Sequence, residues 1–104
     1  MNIDHIGFVV NNIEESIENF RDMFQFDNIS DVFIDTLQKV KVVFLESENG
    51  VRIELIEPLS DDSPVKNFLD KGGGLNHIAF QVDKIRHAVK RMAKIAPGLM
   101  TIGI

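Results

Sequence analysis

Three residues carry the chemistry that this sequence can offer. His5 stands in the stretch IDHIGFVVNNIEESIENFRDMF (Ile3–Phe24). His77 stands in LNHIAFQVDKIRHAVKRMAKIA (Leu75–Ala96), a degraded copy of the first at a constant offset of 72 residues. The copy places His5 on His77, Gly7 on Ala79, Phe8 on Phe80 and Ile13 on Ile85. One histidine in a strand reads as an ordinary strand residue, whereas a matched pair points to a shared site. Glu54 lies between Ile53 and Leu55 in the most apolar run of the chain. A carboxylate is costly to bury there unless it is paired or bound to a cation. Two imidazoles and a carboxylate from three separate strands suit a divalent transition metal. A Glu54 that faces water on a half-exposed sheet explains the alternation equally well.

The elements that must position these residues follow from periodicity. Residues two apart share a strand face. Ile3, His5, Gly7 and Val9 therefore lie together, as do Arg52, Glu54 and Ile56, and Leu75, His77, Ala79 and Gln81. Gly7 and Ala79 leave space beside each histidine. Asn12 suits a helix N-cap with Glu15 as its capping-box partner. Ile13, Ile17, Phe20 and Phe24 form the apolar stripe of that helix, with Glu14, Glu15, Glu18 and Arg21 turned to water. A second strand is expected within residues 28–36 and a third over 37–45. Asn49-Gly50 marks the hairpin to a fourth strand over 51–57. A loop and a short helix over 65–71 lead to Gly72-Gly73-Gly74, a helix stop and turn. Those glycines follow a helix and precede a strand, the reverse of a phosphate loop. The repeat strand, a second helix striped by Ile85, Ala88, Val89 and Met92, and a short strand over 99–104 complete the chain. His87 falls off that stripe and is expected to face water.

The predicted fold class is α+β, with paired βαβββ modules. Module one covers residues 1–58, a linker 59–74, and a second, incomplete module 75–104, within one domain. The formal net charge of −5 disfavours a nucleic-acid partner. No apolar run approaches the ~20 residues of a membrane span. The first residues lack the basic flank of a signal peptide. With no cysteine, thiolate metal sites and disulfides are excluded. A cytoplasmic location is the expectation.

The segments IDHIGFVVNNIEESIENFRDMF, KVVFLESENGVRIELIEPLSDDSPVKNFLDKGGG and LNHIAFQVDKI resemble the vicinal oxygen chelate superfamily, which includes glyoxalases, bleomycin resistance proteins and dioxygenases. Within it they are most similar to the methylmalonyl-CoA epimerases. The run ELIEPLSDDSPVKNFL, a glycine turn and NHIAF are its most specific part. The resemblance implies a glyoxalase-like fold and a metal site at His5, Glu54 and His77, holding a divalent ion such as Co, Zn, Ni or Mn. The family's fourth ligand, a Glu on the last strand of module two, has no counterpart in this chain. Gln38 matches a Gln that often precedes the third strand and is implied to touch substrate. Val42 takes the place where some relatives carry a proposed proton-transfer Glu.

The implied activity is epimerase-like or lyase-like. A metal-stabilised enolate forms on a small acyl-CoA or 2-oxo substrate, and a base must reach the α-proton. Alternatives are a glyoxalase I-like lyase and a binding protein of the same fold that has lost its chemistry. The open edge of the repeat strand points to a homodimer.

Overall fold

A computed structural model of the chain describes residues 2–95. The elements are β1 (Asn2–Val9), α1 (Ile13–Phe24), β2 (Asn28–Ile29), β3 (Phe33–Asp35), β4 (Val40–Glu46), β5 (Arg52–Pro58), α2 (Lys66–Asp70), β6 (Gly74–Gln81) and α3 (Ile85–Ile95). The expected strand over 99–104 lies outside the described residues. Six strands form one sheet in the order β2-β4-β5-β1-β6, with β3 also paired to β4. The fold is α+β, as expected. Among the described residues no helix is long and apolar enough to cross a membrane.

Helix α1 begins as the sequence indicates. The Asn12 side chain accepts from the Glu15 N–H at 2.9 Å. A second anchor was not legible locally. The Ile13 N–H donates to Glu57 Oε1 from β5 at 2.8 Å, which sets a carboxylate against the positive end of the helix dipole. Gln25 closes the helix in the left-handed region, φ 56°, its N–H donating to the Arg21 carbonyl. The apolar stripe holds through Ile13, Ile17 and Phe20. Phe24 is exposed instead, its ring tilted against Phe20 and edge-on to Phe26. The polar face is not wholly free, since Glu14 pairs with Lys41 of β4 at 2.6 Å. This hydrogen bond lowers the Glu14 carboxyl pKa and raises that of Lys41.

The strand expected within residues 28–36 is two short strands. Ser30 explains the break. Its N–H donates to the Phe44 carbonyl, and its hydroxyl accepts the Phe44 N–H at 2.9 Å in place of a backbone oxygen. Strand β4 starts at Val40 rather than Leu37. The Asp35 carboxylate accepts the N–H groups of Leu37 and Gln38 and turns the chain there. The next residue, Lys39, has φ 53° and pairs with Asp62. Hydrogen bonds from Lys39 and then Ser60 lower the Asp62 pKa. The hairpin after β4 is a three-residue loop. Gly50 donates to the Ser47 carbonyl and adopts φ 82°, the left-handed position such loops require. Helix α2 has no side-chain cap. Gly72, Gly73 and Gly74 all have positive φ, and the Gly73 N–H closes α2 on the Phe68 carbonyl.

Two apolar layers flank the sheet. On the α1 side, Ile13, Phe26, Val43, Leu45, Ile53 and Leu55 are buried together. On the other side, Val9, Val40, Val42 and Ile56 pack against Val65, Phe68 and Leu69 around α2. Burying each such aliphatic side chain contributes about 1.5–3 kcal/mol. This second face, farther along β1 and β5, also carries His5 and Glu54.

Candidate metal centre

The site lies across the three adjacent strands β5, β1 and β6. Parallel pairing of β1 with β5 sets Gly7 opposite Glu54. Antiparallel pairing of β1 with β6 sets Gly7 opposite His77 and His5 opposite Ala79. Gly7 is thus flanked in register by two of the three residues. The third, His5, lies two positions away on the same strand face.

A Cβ on Gly7 would lie 2.2 Å from Cε1, 2.6 Å from Nε2 and 2.7 Å from Nδ1 of His77. The His77 ring therefore fills the space over Gly7. The space at Gly7 serves the histidine of the other repeat, because antiparallel pairing crosses the two copies.

The three side chains converge. His5 Nε2 and His77 Nε2 are 3.1 Å apart. Glu54 Oε1 is 3.5 Å from His5 Nε2 and 3.1 Å from His77 Nε2. Side-chain exposure is 20% for His5, 17% for Glu54 and 38% for His77, so the cluster is shielded yet reachable. The His5 ring meets the edge of Phe44 at 5.9 Å between centroids. Phe33 stacks on Phe44, and the Arg52 guanidinium sits 4.2 Å over the same ring.

Each imidazole is held from behind. Asp4 Oδ2 lies 2.8 Å from His5 Nδ1, and Asn76 Oδ1 lies 2.8 Å from His77 Nδ1. An oxygen there is satisfied by an N–H on Nδ1, which leaves the Nε2 lone pair facing the cluster. Three acceptor atoms within 3.5 Å of one another repel unless a cation or a shared proton lies among them. With ligand distances of about 2.1 Å, octahedral and tetrahedral sites have donor separations of roughly 3.0 and 3.4 Å. The observed 3.1–3.5 Å match that span. The donor set fits a divalent ion of the kind expected.

The remaining sequence candidates lie apart from the cluster. Gln38 is exposed in the turn before β4, and its carbonyl accepts from Ser63 Oγ at 3.1 Å. It stands six residues before Phe44, the β4 residue paired with Glu54, and two before β4 begins. Val42 is buried on the same strand face as Phe44 and carries no titratable group. His87 is exposed on α3, as expected. Two hollows, of about 400 and 640 Å³, border α3 and the Ser47–Gly50 hairpin and contain none of the three cluster residues. Converging donor atoms, not cavity shape, identify the site.

The family model described as Glyoxalase/Bleomycin resistance protein/Dioxygenase superfamily matches residues 4–97. The mitochondrial methylmalonyl-CoA epimerase of Dictyostelium discoideum is 37% identical over 92 residues, covering 86% of this chain and 54% of that protein. A hypothetical protein from Bacillus halodurans superimposes with a TM-score of 0.80 at 31% identity, covering 91% of this chain and 68% of the other. A Streptomyces coelicolor methylmalonyl-CoA epimerase variant, in complex with 2-nitronate-propionyl-CoA, gives 0.74 at 26% identity, covering 90% and 71%. The chain spans about half the length of the curated relatives it matches.

Proposed function

The chain belongs to the Glyoxalase/Bleomycin resistance protein/Dioxygenase superfamily, and on that premise we propose that it is a metal-dependent, epimerase-like isomerase acting on a small acyl-CoA. The observation that carries this reading is the convergence of His5, Glu54 and His77. These residues would hold a divalent ion such as Co, Zn, Ni or Mn. When bound, the ion supplies Lewis-acid polarisation of substrate oxygens, which acidifies the neighbouring C–H. The methylmalonyl-CoA epimerases among the relatives support the substrate class.

The chain's own residues then set the limits. Glu54 is occupied as a ligand, and Asp4 is engaged by His5 and Arg52. Val42 cannot move a proton. A base must lie within about 2.6–3.2 Å of the proton it takes, and no described residue beside the cluster is free for that role. Gln38 would meet only a distant part of a long ligand. We further propose a homodimer. Among the described residues strand β6 is a sheet edge, and Leu75, Ile78 and Phe80 on it are half exposed.

The test is α-proton exchange of methylmalonyl-CoA in deuterated water with the Co²⁺-supplemented chain. Lacking a base commonly lowers rate by ~10²–10⁴. From a typical ~10 s⁻¹, the expected protein-dependent rate is about 10⁻¹–10⁻³ s⁻¹, abolished by replacing His5 and His77 together with Ala. No exchange beyond free Co²⁺ would favour the alternative, a binding protein whose chemistry is lost. A rate near ~10 s⁻¹ would show that a base has been overlooked.

A further inference from the structure

Each histidine of the cluster is gripped at Nδ1 by the side chain of the residue before it, at 2.8 Å in both cases. The two grips are related by the 72-residue offset, which carries Asp4 onto Asn76. Adjacent strand residues ordinarily point to opposite faces. A register shift between Ile3 and His5 loosens that constraint where Asp4 reaches across to its neighbour's ring. Asp4 is itself braced, with Arg52 Nη1 3.5 Å from the same Oδ2 and the guanidinium seated over Phe44.

We propose that Asp4, braced by Arg52, and Asn76 are positioning residues that fix both imidazoles as Nδ1–H forms and aim both Nε2 atoms at one ion. The inference rests on the metal reading above. Its physical basis is that a rotating or wrongly protonated imidazole presents N–H instead of a lone pair to the cluster. The pair is asymmetric. The carboxylate at 4 polarises its imidazole more strongly than the amide at 76, so His5 is the stronger donor of the two.

The experiment uses the full 104-residue chain, with Asp4→Ala, Asp4→Asn and a His5→Ala/His77→Ala control. Long-range ¹H–¹⁵N correlation on the metal-free protein, under mildly alkaline conditions, reads the His5 tautomer. The expected result is Nδ1–H in the parent chain and in Asp4→Asn, whose Oδ1 still accepts, and a tautomer mixture in Asp4→Ala. Chelator competition for Co²⁺ then reads affinity. Removing an outer partner of this kind typically weakens binding 10–100-fold, expected for Asp4→Ala and only partly offset in Asp4→Asn, whose amide keeps the tautomer but polarises the ring less. An unchanged tautomer or an unchanged Co²⁺ affinity in Asp4→Ala overturns the inference. Equal Co²⁺ binding by the parent chain and the double-histidine control sinks the metal reading instead. The tautomer measurement still decides the role of Asp4 in that case.

Discussion

Gly7→Ala isolates the contact on which the site depends. The added methyl would sit 2.2 Å from His77 Cε1, and ordinary contact begins near 3.4 Å. The ring must therefore retreat by at least about 1.2 Å. Metal sites tolerate ligand displacements of only about ±0.2 Å, so His77 leaves the donor set. Loss of a whole ligand exceeds the 10–100-fold typical of an outer-partner mutation. The expected fall in Co²⁺ affinity is at least ~100-fold, or about 2.7 kcal/mol. The fold should hardly notice. His77 is already 38% exposed and can swing outward. No positive φ is recorded for Gly7, so Ala fits the backbone, and reduced freedom of the unfolded chain contributes about 0.4–1 kcal/mol. Chelator competition gives the affinity and circular dichroism melting the stability. The decisive arm is the double variant. In a His77→Ala background, Gly7→Ala should cause no further loss of affinity, because the ring atoms nearest the added methyl are gone. Parent-like Co²⁺ affinity in Gly7→Ala, or a second full loss in the double variant, would refute the geometry.

Three further outcomes are expected. Gln25→Gly should raise the urea midpoint by about 0.5–1 kcal/mol of stability, because Gln25 holds a left-handed φ of 56° that glycine adopts freely; a lower midpoint would contradict the strain. Lys41→Met should lower the melting temperature by a small amount that is constant from about pH 5 to 10. Glu14, with its lowered pKa, loses its contribution as the pH falls through that value, and Lys41, with its raised pKa, loses its own as the pH rises through it. A parent-minus-variant difference that changes between about pH 6 and 8 would place the effect elsewhere. Light scattering should give about twice the 11.8 kDa chain mass at micromolar concentration, and a monomer mass would rule out the dimer.

The sequence made some features legible because they are local. The Asn12 cap, the Asn49-Gly50 turn and the glycine stop after α2 depend on neighbouring residues, and all three stand where their residue types put them. The 72-residue repeat carried longer-range information, and His5, Glu54 and His77 do converge. What stayed hidden depends on pairing between distant strands. Nothing near Glu57 in sequence says that it caps α1. Nothing near Gly7 says that its missing side chain makes room for a ring on β6. Ser30 reads as one polar residue in a strand, and only against Phe44 does its hydroxyl replace a ladder acceptor and divide the strand. Phe24 fits the helical period, yet it is exposed, a difference the period alone does not carry.

The separation of the cluster residues along the chain has a thermodynamic consequence. His5 and His77 are 72 residues apart and meet only through completed β1–β6 pairing. An unfolded chain offers no such arrangement, so an ion binding the cluster binds the native state alone. Free ion at a hundredfold excess over its dissociation constant would then add about 2.7 kcal/mol to the unfolding free energy. The ion would act as a removable cross-link between β6 and the sheet, tying an edge strand to its centre.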